Sequence, residues 1–263
     1  MKQSTRFTTT VALIVALGGF LMGFDASVIS GVVGFIETEF RLTKIQLGWS
    51  VASLTLTATI AMMLAGPISD RFGRRPVLKV AAALFAVSAV ASALAPDFIT
   101  LVIARMVGGL GVGAALIIAP MYIAEIAPAE IRGRMVSFNQ LNIVIGISAA
   151  FFSNYLILEL GQSASEWAEQ LRLGDLAWRW MLGVETLPAI VYLFALMFVP
   201  ESPRWLAMHG REDEALSVFE KASDAQQAQA DLALVKSSLH AEADQPGLSI
   251  RQRFQPALIL VMT

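Results

Sequence analysis

The sequence predicts an all-α membrane protein, and three observations support this fold class. The 263 residues are 56% hydrophobic and only 15% charged, with a mean hydropathy of +0.65. A soluble domain carries about 25% charged residues, so this composition is too apolar for water. Six apolar stretches are each long enough to cross about 30 Å of hydrocarbon as a helix. The absence of cysteine excludes disulfide bonds and thiolate metal sites.

The predicted spans follow one another along the first 200 residues. The basic flank and apolar run at the amino terminus resemble a secretory signal. The apolar run continues well past the usual signal length, however, without an obvious small-residue cleavage site, so we predict a retained helix. In chain order the predicted spans are Thr10–Phe35, Leu47–Ile68, Val77–Leu94, Phe98–Ile126, Met135–Leu158 and Trp180–Val199.

The composition changes after Pro200. Residues 204–245 are charged and alanine-rich, with leucine and valine at helical spacing, which predicts short amphipathic helices in water. The last stretch, PALILVMT, has the composition of a further span. The predicted domains are a transmembrane six-helix bundle (1–200), a helical segment (201–247) and the start of a truncated seventh transmembrane helix (248–263).

The basic residues alternate between the two sides of the predicted bundle. One side holds Lys2 and Arg6 before the first span, the group 71–79 after the second and the group 132–134 after the fourth. The other side is poor in basic residues. Ordinary loop charges would explain their presence but not this alternation. The positive-inside rule places both ends of the six-helix segment in the cytoplasm of a multi-pass protein of the cell (plasma or inner) membrane.

Three ionisable residues lie inside predicted spans: Asp25 in the first, Arg105 in the fourth and Glu185 in the sixth. At 1.5 Å per residue, Asp25 lies about 15 Å from the outer end of its span and the other two lie about 10 Å deep. All three are therefore expected in one layer of the outer half of the membrane. One arginine between two carboxylates would satisfy one of them and leave the other able to take a proton.

A charge near the middle of a membrane costs about 2.5–3.5 kcal/mol on insertion scales, so such residues usually face a cavity or a partner. One interpretation of the three residues is a structural salt bridge that locks helices together. The other, which we favour because intramembrane ionisable groups are usually functional, is a relay for a proton or a substrate.

A second polar feature lies in the fifth span. Gln140, Ile143, Val144, Ile147 and Asn154 share one helical face by their spacing. A mixed amide and aliphatic face suits a cavity that binds hydroxyl groups and excludes bulk water. Hydrogen bonding between helices is the alternative role for the amides.

Seven short motifs stand in order along the chain. They are GFDASVISG, GPISDRFGRRP, RMVGGLGVG, PMYIAEIAPAEIRGRM, FNQLNIVIG, WRWMLGVETLPA and PESPRWL. RFGRR alone would be weak evidence, whereas the ordered set, with PESPR directly after the sixth span, is specific. Over almost its whole length, the chain resembles the sugar porters of the major facilitator superfamily.

The resemblance implies the N-terminal, six-transmembrane-helix half of a major facilitator fold, followed by cytoplasmic helices. Complete members have twelve spans in two halves that rock around a central sugar site. By position, Gln140 would contact the sugar, and Ile143 and Ile147 would form the wall beside it. The middle of span two, TATIAMMLAG, lacks the repeated glycines common in the family. Its packing against span four is therefore expected to differ.

The resemblance also assigns roles to the buried charges. Asp25 would be the proton-coupling carboxylate, with Arg105 and Glu185 as its network. Members that only facilitate diffusion usually have asparagine at the position of Asp25. Proton symport of a monosaccharide is therefore favoured, and facilitated diffusion by a uniporter is the alternative.

Charged residues of both signs lie at the inner ends of the spans, where the resemblance implies a cytoplasmic gate. Such a cluster can close one state and break when the halves tilt. A solvated belt of basic residues would not explain the carboxylates among them. Gly66 and Gly73 fit a tight turn between close helices. The predicted gate residues are Asp70, Arg74, Arg75, Glu125, Arg132 and Glu201.

The expected partners are a small-molecule sugar, a proton, the lipid bilayer and a missing C-terminal half, with no nucleic acid, cofactor or metal. A fragment of a longer transporter is favoured over a half-transporter that pairs. A half-length sensor or regulatory membrane protein that does not transport is a further alternative. An enzyme is not expected, because His209 and His240 lie in the charged segment without a carboxylate constellation or a glycine-rich phosphate loop.

Overall fold

The computed structural model describes residues 2–128, 131–163 and 166–243, and every regular element in these ranges is a helix. The predicted all-α class is therefore confirmed. The helices are α1 (Lys2–Glu39), α2 (Lys44–Phe72), α3 (Arg74–Ala93), α4 (Phe98–Ile126), α5 (Arg132–Gln162), α6 (Glu166–Gln170), α7 (Ala177–Val184), α8 (Thr186–Ala195), α9 (Pro203–Met208), α10 (Glu212–Ala222) and α11 (Ala225–Ala243).

The first five predicted spans are confirmed as continuous helices. Within the described residues, α1 to α5 are long and apolar enough to cross a membrane. Capping residues fix two of their starts: Thr43 and Gln46 form a reciprocal capping box before α2, and Asp97 accepts a hydrogen bond from the backbone N–H of Thr100 at 2.9 Å before α4. The sequence therefore determines where these two spans begin.

The sixth span differs from its prediction as one helix over Trp180–Val199. It consists of α7 and α8, which meet at Glu185, and it ends at Ala195. Pro188 lies in the first turn of α8 and has no backbone N–H to donate to the carbonyl of Val184, and its ring crowds that carbonyl. The helix therefore breaks one turn before the proline, at the ionisable residue.

The central helices of the bundle are α1 and α4. In each of them, 61% of the most apolar 18-residue stretch is buried inside the bundle, against 28% in α2 and 22% in α5. α1 packs along α5, while α2 and α3 both pack along α4. The exposed faces of α2 and α5 are therefore the surfaces left for lipid or for another protein.

Glycines allow close approach of the backbones at two helix crossings. A Cβ at Gly23 of α1 would collide with the carbonyl oxygen of Ile143 in α5, and one at Gly146 would collide with that of Phe20. Between α2 and α4, Gly109 and Gly113 face the carbonyls of residues 54 and 58. The glycines at this second crossing come from α4, so the lack of glycines in the middle of span two does not prevent close packing.

A hydrogen-bonded cluster joins three helix ends on the side opposite α9. Trp178 at the start of α7 donates through Nε1 to Glu39 at 2.5 Å, and Arg179 donates to Glu39 at 3.1 Å. Arg179 also donates to the carbonyls of Ala93 and Ala95, at 3.1 and 2.7 Å. The cluster fixes α7 to the ends of α1 and α3.

The segment after Pro200 forms the amphipathic helices that its composition predicts. Ser202 caps α9, whose first residue is Pro203. The buried face of α10 includes Val218 and Phe219, and α10 packs on α9, α11 and α1. The predicted seventh span, residues 248–263, lies outside the described residues, and the boundaries at 200 and 247 stay a prediction.

Candidate functional site

A buried layer of ionisable groups crosses the middle of the bundle. Asp25, Arg105 and Glu185 are 5%, 2% and 3% exposed. Arg105 donates through Nη1 to Asp25 Oδ1 at 3.4 Å and through Nε to the carbonyl of Ser50 at 3.1 Å. The structure thus brings α1, α2 and α4 together through one arginine.

Glu185 belongs to the same layer but is held differently. It forms no ion pair with any described residue, although it lies close enough to interact electrostatically with Asp25 and Arg105. Asp25 Oδ2 and Glu185 Oε1 are buried and have no hydrogen-bond partner in the described part of the chain. Because an unpaired buried polar atom costs about 1–3 kcal/mol, both oxygens are placed to accept a proton or a hydrogen-bonding ligand.

Apolar side chains close this layer above and below. One cluster includes Leu101 and Leu182, and the other includes Val112 and Ala189. Along α4 and along the α7–α8 segment, the ionisable residue lies between members of the two clusters. Bulk water is therefore kept from the carboxylates, which strengthens their interaction with the arginine.

The predicted polar face of α5 is split in the structure. Gln140 is exposed, and Ile143 and Ile147 are half-buried. Asn154 is instead buried against α1, where its Nδ2 donates to the carbonyl of Val28 at 3.0 Å. The expectation that Asn154 shares the cavity face is wrong, because α1 crosses α5 and covers that end of the face.

Asn139 is a buried amide that the helical periodicity of α5 did not identify. It is next to Gln140 but faces Gly19 of α1, where its Oδ1 has no hydrogen-bond partner among the described residues. The opposing glycine, whose missing side chain makes room for an amide, is the signal that identifies this position.

A second charged cluster lies around Arg74, at the end of the bundle next to α9. This side chain is 3% exposed and makes a two-pronged contact with Glu125, with both N···O distances 3.1 Å. It also pairs with Asp70 at 2.9 Å and donates to the carbonyl of Ser69 at 3.1 Å. Every face of this guanidinium is therefore engaged within the bundle.

Glu201 and Arg75 form hydrogen bonds with backbone groups at helix ends. The Glu201 carboxylate accepts from the backbone N–H groups of Arg74 and Arg75, at 3.0 and 3.2 Å, and so caps the start of α3. Arg75 donates to the carbonyls of Leu196 and Met197, at 3.3 and 2.7 Å, just after α8. The cluster thus joins α2, α3, α4, α8 and α9.

The two glycines expected in a turn behave differently. Gly73 has a φ of 101° and connects α2 to α3, which requires glycine because other residues rarely adopt this conformation. Gly66 does not lie in the turn: it is inside α2, directly before Pro67, with open space beside its Cα.

Arg132 and the exposed side of Asp70 form the rim of the charged cluster. They border a cavity of about 510 Å³ together with Arg74, Glu125 and Arg204. The described hydrogen bond of Arg132 goes to the carbonyl of Ala127 at 3.4 Å, so Arg132 does not join the ion pairs. Of the six predicted gate residues, the structure therefore brings together five and leaves Arg132 at the edge.

Two further contacts support the charged cluster and were not predicted. Ser202 donates from Oγ to Glu125 at 2.5 Å, and Tyr122 donates to the carbonyl of Pro200 at 2.9 Å. Serine before proline is a helix-capping signal, but nothing in the sequence shows that the same hydroxyl reaches Glu125.

Comparisons with known proteins agree with one another. A family model described as sugar (and other) transporter matches residues 11–263. The arabinose-proton symporter of Bacillus subtilis (strain 168) is 39% identical over 257 residues, 98% of this chain and 53% of that protein. The D-xylose-proton symporter of Escherichia coli (strain K12) is 37% identical over 249 residues, 84% of this chain and 49% of that protein.

A solved structure has the same fold. The proton:xylose symporter XylE bound to 6-bromo-6-deoxy-D-glucose superimposes with a TM-score of 0.83 at 36% identity, over 95% of this chain and 56% of that chain. The chain thus spans about half the length of the curated relatives and the solved structure that it matches.

Proposed function

Because the chain belongs to the sugar transporter family of the major facilitator superfamily, we propose that it forms the first half of a transporter that carries a monosaccharide together with a proton. The observation that carries this proposal is the buried Asp25–Arg105 pair, in which Asp25 keeps one oxygen without a partner. The names of the symporters to which the chain is similar support the same conclusion.

The coupling step follows from the geometry of the buried layer. When Asp25 is ionised, it pairs with Arg105. When a proton binds Asp25, the arginine loses its counter-charge and the nearby Glu185 carboxylate becomes its partner. Since α1, α4 and the α7–α8 junction each supply one group, protonation changes which helices are held together.

The sugar would bind beside this layer, on α5. The exposed amide of Gln140 can hydrogen-bond sugar hydroxyls, and Ile143 and Ile147 supply an apolar wall. The backbone of Ile143 lies against Gly23, two positions before Asp25 on α1. This contact gives a short path between the sugar wall and the proton site.

The cluster around Arg74 would act as the cytoplasmic gate. Its interior ties the inner ends of the helices into one unit, and its rim, Asp70 and Arg132, stays open to the second half. Tilting of the halves would make and break contacts at the rim only, because Arg74 is already saturated within the first half.

The function is tested by uptake of labelled arabinose, xylose and glucose into proteoliposomes that contain the complete transporter. We expect uptake against the sugar gradient when a proton gradient is imposed, and loss of that accumulation with a protonophore. Gln140→Ala should weaken sugar binding by about 1–3 kcal/mol, the value of an unpaired polar group. Gln162→Ala, which removes an exposed amide from the other end of α5, is the matched control.

Each alternative gives a distinct result in this assay. Downhill uptake that ignores the proton gradient would indicate a uniporter, and no uptake of any sugar would indicate a sensor or regulatory protein. An unchanged binding constant in Gln140→Ala would assign Gln140 to helix packing.

The proposed topology places the Arg74 cluster and α9–α11 in the cytoplasm. The cysteine-free chain allows single cysteines to report it without background. A membrane-impermeant thiol reagent should label Lys44→Cys in intact cells and Glu212→Cys only after the membrane is opened. Labelling of Glu212→Cys from outside would reverse the orientation.

A further inference from the structure

An apolar groove runs along the outside of the bundle between α2 and α3. Both helices pack on α4 rather than on each other, so α4 forms the floor of the groove. The groove has a volume of about 420 Å³, within the usual range for a small-molecule site. Its lining includes Ala61, Ile68, Phe72, Val80, Leu84 and Leu110.

The length of the groove matches one leaflet of a bilayer. Along α2 it extends from Phe72, next to the α2–α3 turn, to Ala61, which is about 16 Å at 1.5 Å per residue. Half of the hydrocarbon thickness is about 15 Å. A single acyl chain that enters from the membrane surface would therefore fill the groove to its end.

An exposed cation, Arg71, lies at the end of the groove next to the α2–α3 turn. The guanidinium of Arg71 lies 5.3 Å from the ring centroid of Phe72, which lines the groove. Arg71 is exposed and forms no hydrogen bond or ion pair with a described residue, whereas its neighbours Arg74 and Arg75 are both engaged. The carboxylate next to it in the sequence, Asp70, is paired with Arg74.

We infer that this groove binds one anionic phospholipid, with an acyl chain between α2 and α3 and the headgroup phosphate on Arg71. A guanidinium binds phosphate through two parallel hydrogen bonds, and the contact with the Phe72 ring keeps it beside the entrance for the acyl chain. In the proposed topology the lipid belongs to the cytoplasmic leaflet, where anionic lipids attract basic residues next to a span.

The test uses the 263-residue chain in nanodiscs that contain either phosphatidylglycerol or phosphatidylcholine with a photoreactive diazirine in the acyl chain. Peptide mass spectrometry measures cross-linking to α2 and α3. One basic residue contributes about 1 kcal/mol to anionic lipid binding, so phosphatidylglycerol should label the groove about fivefold more than phosphatidylcholine.

Two variants separate the contribution of the lipid headgroup from that of the acyl chain. Arg71→Gln should reduce labelling by phosphatidylglycerol to the level of phosphatidylcholine, whereas Arg134→Gln, an exposed arginine at the same end of the bundle, should not. Leu110→Trp fills the floor and should abolish labelling by both lipids.

Three results would overturn the inference. They are equal labelling by the two lipids in the unmodified chain, labelling that survives Leu110→Trp, and cross-links from the groove to a second copy of the chain in place of lipid. The last result would make the groove a contact between protein copies.

Discussion

Asp25→Asn is expected to abolish sugar accumulation driven by a proton gradient while it leaves sugar exchange intact. Asparagine keeps the shape of the side chain and an oxygen that can accept from Arg105, but it cannot take or release a proton. Its charge is fixed at zero, so Arg105 stays with Glu185 as its nearest carboxylate throughout the cycle. The carrier can then change conformation with sugar bound, without coupling to the proton gradient.

The measurement is uptake of labelled sugar by energised vesicles that contain the complete transporter, with counterflow measured on the same preparation. Glu37→Gln is the matched control, because it makes the same chemical change on α1 at a surface pair with Lys44. Surface pairs contribute about 0–1 kcal/mol, so this variant should accumulate sugar normally. If Asp25→Asn still concentrates sugar, Asp25 is a structural partner of Arg105 and not the coupling group.

Arg74→Ala is expected to destabilise the chain by about 3–5 kcal/mol, since it leaves a buried carboxylate without its partner. Glu125, with a side chain 9% exposed, would keep only its hydrogen bond from Ser202. Arg74→Lys should lose less, because it retains the charge but cannot reproduce the two-pronged contact. Unfolding of the purified chain in detergent, followed by tryptophan fluorescence, gives the free energies.

Arg134→Ala provides the comparison for this experiment. Arg134 lies at the same end of the bundle but is exposed, so its removal should change the unfolding free energy by no more than about 0.5 kcal/mol. Equal losses for Arg74→Ala and Arg134→Ala would mean that the buried cluster does not hold the helix ends together.

The depth of the buried layer can be predicted from the sequence, because it depends only on where each span begins and on the direction in which it crosses the membrane. Span order, the alternation of basic residues and a fixed rise per residue suffice to place Asp25 and Arg105 at one level, and the structure brings them into contact. The cluster around Arg74 also follows from sequence position, since all its members lie near span ends.

The rotation of each helix about its axis does not follow from the sequence in the same way. Asn154 has the correct spacing for the face of Gln140, but the line of contact with α1 passes from Asn139 to Asn154 as the helices cross. That line depends on glycines in both helices and not on the periodicity of either. The carbonyl of Ser50 that receives Arg105 was also unpredictable, because a backbone group leaves no side-chain signal.

The junction of α7 and α8 has a consequence for biogenesis. These helices have 8 and 10 residues, and only together, with Glu185 between them, do they approach the roughly 20 residues that cross a bilayer. The segment also carries Arg179 and Glu185, which the translocon admits only at a cost. Both pieces rest on α3, and Arg179 is neutralised by Glu39 and solvated by the carbonyls at the end of α3. We therefore expect the sixth span to enter the bilayer most readily once α1 and α3 are in place, an order that synthesis from the amino terminus provides.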